Sequence, residues 1–163
     1  MRKDIHCTVN GMEREFNVDV RSSLLEMLRG EEHAHSVKKG CEVGECGACT
    51  VLIDGRPFVS CIYLAIWAEG KDIMTSEGLV DKNGKLSDIQ EAFISEGAVQ
   101  CGFCTPGFIM SAIPIINADR KYSRDEIKKW IAGNFCRCTG YQKIVDAIEK
   151  TQEKRLREKG LLK

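Results

Sequence analysis

The cysteines constrain this chain more than any other feature. There are nine in 163 residues, and eight of them fall into two groups of four. Cys41, Cys46, Cys49 and Cys61 form the first group. Cys101, Cys104, Cys136 and Cys138 form the second, after a cysteine-free stretch from 62 to 100. The N-terminus, Met1-Arg2-Lys3-Asp4-Ile5-His6, has a basic start with no apolar stretch behind it, so no secretory signal is expected and a cytoplasmic location follows. Disulfides are rare there, because the cytosol keeps thiols reduced. Metal ligation is then the leading account of the cysteines.

Charge and hydropathy narrow the function further. Lys plus Arg number 24 and Asp plus Glu number 24, so the formal net charge is zero. A balanced chain without a basic stripe argues against nucleic-acid binding. No apolar run is long enough to span a membrane. The sequence also holds no Gly-rich phosphate loop and no Ser–His–Asp set.

The expected fold class is α+β, with the two cysteine groups on separate domains. In the first half, Ile5, Cys7 and Val9 alternate with polar residues, and Asn10-Gly11 supplies a two-residue hairpin turn. Phe16, Val18 and Val20 continue the alternation on a second strand. Ser23 with Glu26 reads as a capping box for a short helix through Leu24, Leu25 and Leu28. Thr50–Ile53, the turn Asp54-Gly55 and Pro57–Ser60 read as another hairpin. These elements predict a small sheet with one helix over residues 1–76.

A linker over 77–83 precedes a helical half at 84–163, with a turn expected at Asn83-Gly84. Capping boxes are predicted at Ser87/Gln90, Ser123/Glu126 and Thr139/Gln142. Thr105-Pro106 offers a cap followed by proline at the first helical position. Apolar residues at helical spacing follow each start, which predicts four short helices ending near 153 and packed as a bundle. Pro114 is expected to kink the second of them. The charged stretch Lys154–Lys163 is expected to fray.

The first cysteine group has the C-x₄-C-x₂-C spacing with a distant fourth cysteine, the pattern of plant-type 2Fe–2S sites. Two irons bridged by sulfide need four thiolates from one tight loop and one nearby strand end. Gly40, Gly44 and Gly47 permit positive φ and close backbone approach, so that N–H groups can point at the sulfurs. A zinc site usually shows two tight cysteine pairs instead. The second group pairs C-x₂-C with C-x-C, each just before a predicted helix start, where partial positive charge favours thiolates. By spacing alone this group also suits zinc.

Three segments carry a family resemblance. They are Gly40-Cys41-Glu42-Val43-Gly44-Glu45-Cys46-Gly47-Ala48-Cys49-Thr50, Gln100-Cys101-Gly102-Phe103-Cys104-Thr105-Pro106-Gly107 and Cys136-Arg137-Cys138-Thr139-Gly140-Tyr141. Together they resemble the iron–sulfur subunit of the xanthine dehydrogenase family of molybdenum hydroxylases. The resemblance implies a ferredoxin-like β-grasp domain followed by a four-helix bundle, each with one 2Fe–2S cluster. It implies a large molybdopterin-binding partner subunit and an FAD-binding partner subunit, with this chain conducting electrons between them. Cys41, Cys46, Cys49 and Cys61 would hold the cluster facing the flavin. Cys101, Cys104, Cys136 and Cys138 would hold the cluster near molybdopterin, with Gln100 and Cys138 contacting the pterin. The stretch Ser60–Ala65 and the following Trp67–Lys71 are similar to bacterial purine-oxidising members, which suggests a purine or another N-heterocycle as substrate. A free two-cluster ferredoxin is the competing reading, and the second, helical half speaks against it.

Other residues are read as structural. Cys7 on its alternating strand is expected to be buried. His6, His33 and His35 are scattered or solvent-facing, and no paired C-x-H motif offers a Rieske-type site. Lys38 and Lys39 read as a solvated charge run, and Trp130 as a core residue.

Overall fold

The computed structural model describes residues 1–162. The first half forms one five-stranded sheet in the order β2-β1-β5-β3-β4. Strands β1 (Arg2–Val9) and β2 (Met12–Asp19) pair antiparallel about the Asn10-Gly11 turn. Asn10 at φ 51° and Gly11 at φ 77° give it the left-handed geometry that suits a two-residue hairpin. β3 (Thr50–Ile53) and β4 (Arg56–Val59) pair antiparallel about Asp54-Gly55. The second hairpin strand therefore ends one residue before the predicted Ser60, which opens a short 3₁₀ turn instead. The fifth strand, β5 (Asp72–Met74), lies parallel to β1 and antiparallel to β3. At three residues it is too short to show a period in sequence.

Helix α1 (Leu24–Gly30) begins at the predicted Ser23/Glu26 capping box, in which the Ser23 hydroxyl accepts from Glu26 N and the Glu26 carboxylate accepts from Ser23 N. Its buried face, Leu24, Leu25, Met27 and Leu28, packs with Ile5, Val9, Phe16, Val18, Val51, Ile53 and Ile73 of the sheet. Cys7 is buried in the same core, as expected. His33 and His35 are exposed.

The second half holds four helices: α2 (Asp88–Ser95), α3 (Thr105–Asn117), α4 (Arg124–Trp130) and α5 (Gln142–Glu158). The capping boxes at Ser87/Gln90 and Ser123/Glu126 form as predicted. α5 packs against α2, α3 and α4, and α3 packs against β3. Strand alternation explains how β3 serves both halves: Val51 and Ile53 face the first core, while Leu52 points into the helical one. All four residues of β3 are buried, as in a strand covered on both faces.

Four expectations change. Thr139 does not cap α5, whose first residue follows Tyr141 in left-handed geometry with no side-chain cap. The Thr139 hydroxyl is instead turned to a cysteine sulfur. Thr105 is inside α3 rather than its cap, and its buried hydroxyl lacks a hydrogen-bond partner. The last helix runs past 153 to Glu158, held by Leu156, which is buried; Lys163 of the predicted frayed tail lies outside the described residues. Trp130 is half-exposed at the end of α4, its indole N–H donating to the Ser111 carbonyl at 2.7 Å. Pro114 falls within α3, which continues beyond it to Asn117. The segment predicted as a linker opens with a 3₁₀ turn, Ser76–Leu79, and Glu77 there accepts from Ser36 N at 2.7 Å. Asn83 and Gly84 form the expected turn.

Candidate iron–sulfur centres

The loop 40–49 is organised around its first sulfur. Val43 N, Glu45 N and Cys46 N lie 3.5, 3.3 and 3.4 Å from Cys41 Sγ. Donation from Val43 N and Cys46 N holds the Cys41 thiol at about 6, far below its usual range. The turn needs left-handed backbone at Gly44 and Gly47. Gly40 has ordinary φ, so its value is space rather than the predicted conformational freedom: a Cβ there would lie 2.9 Å from Cys46 Sγ.

Cys61 arrives from the turn after β4. Burial and then the neighbouring Cys49 sulfur push its thiol up to about 12. The second group behaves alike. Burial and then the Cys136 sulfur push Cys104 up to about 12. For Cys136 burial acts upward, but the Thr139 hydroxyl at 3.1 Å and Thr139 N at 3.4 Å outweigh it, and the thiol is lowered. Thiols pressed together in this way repel as thiolates, and a bound cation relieves that repulsion.

The sulfurs come in pairs. Cys101 Sγ and Cys138 Sγ are 3.6 Å apart. Cys104 neighbours Cys136, Cys49 neighbours Cys61, and Cys41 neighbours Cys46. Two sulfurs about 2.3 Å from one tetrahedral metal sit about 3.8 Å apart. Each group of four is thus two metal-binding edges, which suits a two-metal group. The donor chemistry, the N–H groups aimed at sulfur and the pairing all fit 2Fe–2S.

The two groups adjoin. A cavity of about 280 Å³ is lined by Cys41 and Cys46 of the first group and by Cys101, Cys104, Cys136 and Cys138 of the second. Phe135 N donates to Cys46 O at 2.9 Å, so one hydrogen bond joins a residue of the first group to the neighbour of Cys136. Buried Asn134 fixes this junction, donating to Gly47 O at 2.9 Å and accepting from Ser111 Oγ at 2.6 Å. Sequence reading missed Asn134, because a single Asn near a ligand has no period or spacing to mark it. Cys101 and Cys138 are exposed, and so is Gln100, whereas Cys49 and Cys136 are buried.

Residues 7–72 match the family of 2Fe-2S iron-sulfur cluster binding domains, and residues 75–149 match the [2Fe-2S] binding domain family. The chain is 52% identical over 153 residues to the xanthine dehydrogenase iron-sulfur-binding subunit of Escherichia coli O157:H7, covering 91% of this chain and 95% of that protein. The chain belongs to the iron–sulfur subunits of the molybdenum hydroxylases. Solved structures of molybdenum hydroxylases share its fold. A chain of quinoline 2-oxidoreductase from Pseudomonas putida 86 superposes with a TM-score of 0.91 at 44% identity, covering 96% of this chain and 97% of that one. The aldehyde oxidoreductase from Desulfovibrio desulfuricans superposes with a TM-score of 0.90 at 40% identity, covering 96% of this chain but 17% of that longer one. An iron–sulfur subunit of this family is an electron-transfer component, and among the described residues no helix is long and apolar enough to cross a membrane.

Proposed function

We propose that this chain relays electrons between a molybdopterin centre on a large partner subunit and an FAD on a second partner subunit. Cys41, Cys46, Cys49 and Cys61 hold the cluster nearer the flavin. Cys101, Cys104, Cys136 and Cys138 hold the cluster nearer molybdopterin, on a helical half organised as a four-helix bundle. The domain division is 1–76 and 84–163, with 77–83 between them, and the complex works in the cytoplasm. Each 2Fe–2S group, when bound, accepts and returns one electron.

The observation that carries this reading is the shared cavity wall, with the Phe135–Cys46 hydrogen bond running beside it. Two cluster sites so joined make a through-path rather than two isolated stores. The path has an outward end: Cys101 and Cys138 form the exposed pair, with exposed Gln100 next to them in sequence. A carboxamide both donates and accepts hydrogen bonds, as a pterin edge requires. On this reading Gln100 and Cys138 are the molybdopterin contacts, as the family resemblance implies. The substrate class, purines or other N-heterocycles, is supported by the names of similar proteins, a xanthine dehydrogenase subunit and a quinoline oxidoreductase.

The test is rapid-mixing reduction of the clusters by substrate in the assembled complex, wild type against Gln100→Ala. Cluster assembly should be intact, with slower reduction or weaker pterin retention. Unchanged reduction with normal pterin content removes Gln100 from the path. A chain that joins no molybdenum-containing partner points to a free ferredoxin.

A further inference from the structure

The turn between Cys136 and α5 is built in a way that helix stability alone does not explain. Thr139 and Gln142 have the spacing of a capping box, yet the box does not form, and α5 starts without a side-chain cap. The Thr139 hydroxyl lies 3.1 Å from Cys136 Sγ, and Thr139 N lies 3.4 Å from the same sulfur. Tyr141 N donates to Thr139 Oγ1 at 3.3 Å, which occupies a hydroxyl lone pair and leaves the proton free for the sulfur. The Tyr141 hydroxyl accepts from Cys136 N at 3.0 Å and closes the loop on itself. Tyr141 holds φ at 69°, a left-handed conformation unusual for a bulky residue, with its ring edge-on to Phe108. A helix cap forgone and a strained tyrosine both serve one arrangement, a hydroxyl aimed at one sulfur.

We propose that Thr139 is a positioning residue that raises the reduction potential of the second cluster by donating its hydroxyl to Cys136 Sγ. The inference rests on Cys136 being a ligand of that cluster. Reduction adds one electron to the cluster and leaves it one unit more negative. A hydrogen bond donated to a ligand sulfur stabilises the more negative form and so favours the reduced state. The hydroxyl bears on one side of the cluster, at the Cys104/Cys136 pair, next to Phe135 and its bond to Cys46. The effect therefore falls where the second cluster faces the first, and it sets how readily electrons pass between them.

The experiment is an anaerobic redox titration of the cluster-loaded chain, following both clusters by electron paramagnetic resonance, for wild type, Thr139→Val, Thr139→Ala and Thr139→Ser. Valine keeps the branched shape and removes the hydroxyl; serine keeps the hydroxyl. At a fixed poise, Thr139→Val should lower the reduced-to-oxidised ratio of the second cluster on the order of tenfold, about 59 mV for one electron. Thr139→Ser should stay near wild type, and the first cluster should not move in either variant. An unchanged potential in Thr139→Val with both signals present overturns the proposal. So does loss of the second signal in both Thr139→Val and Thr139→Ala with retention in Thr139→Ser, since the hydroxyl would then serve assembly. Absence of two 2Fe–2S signals in wild type refutes the cluster assignment itself, a separate outcome.

Discussion

Gly107→Ala tests how the two halves are joined, because two physical effects on that residue oppose each other. Gly107 lies in the first turn of α3. Helix propensity favours alanine over glycine by at most about 1 kcal/mol. Packing opposes the change. An added Cβ would lie 2.4 Å from Gly47 O, 3.2 Å from Ala48 Cα and 3.3 Å from Asn134 Nδ2. The nearest atoms are backbone, so no side chain can swing aside. Forcing a methyl into a filled site costs about 1–3 kcal/mol. The displaced Gly47 carbonyl also accepts from Asn134, and stranding that buried donor adds about 1–3 kcal/mol. The net expectation is a loss of about 1–5 kcal/mol. Urea unfolding of the cluster-loaded chain measures it, and magnetic coupling between the two reduced clusters should weaken in parallel. Gly133→Ala is the control beside the same junction, since a Cβ there meets nothing within 4 Å. A Gly107→Ala chain as stable as wild type, with unchanged coupling, would refute the packing argument.

Purified without oxygen, the chain should be red-brown, carry about four irons and four labile sulfides, and bleach partly with dithionite. Stoichiometric zinc without labile sulfide would overturn the assignment. Cys46→Ser should disturb the first cluster's signal and leave the second largely intact, and Cys104→Ser should do the reverse. Loss of both signals in either still-folded variant would contradict two separate sites.

Much of this was legible because cysteine spacing and turn chemistry are local signals. Asn10-Gly11, Asp54-Gly55 and three Ser-based capping boxes fix their own elements within a few residues, and the structure forms all of them. The failures have different causes, some local and some distant along the chain. Thr139 matched a capping box, but the nearby Cys136 sulfur took its hydroxyl. Trp130 had core spacing, but α4 ends there and leaves its ring half-exposed. β5 exists because β1 and β3 flank it, a pairing with no trace in three residues. In the candidate site, the grouping of cysteines was visible but their pairing was not. Cys101 with Cys138 brings together residues from two loops that only the packing of α3 against α5 sets side by side.

The Gly47–Asn134 junction has a consequence for how such a protein comes into being. Gly47 lies between Cys46 and Cys49, so the carbonyl that Asn134 grips belongs to the loop that carries three of the first group's four cysteines, and a bound cluster would hold that loop in shape. Metal binding and folding are thermodynamically linked wherever a site is not preformed. Here the linkage crosses from one half to the other, because the same loop walls the cavity containing Cys101, Cys104, Cys136 and Cys138. Iron loading of the N-terminal site thereby firms the surface on which the C-terminal half is seated, without being required for the second cluster to form. A first site left without metal would therefore loosen the seam between the halves, while the second group of cysteines keeps its own four ligands and can still be filled.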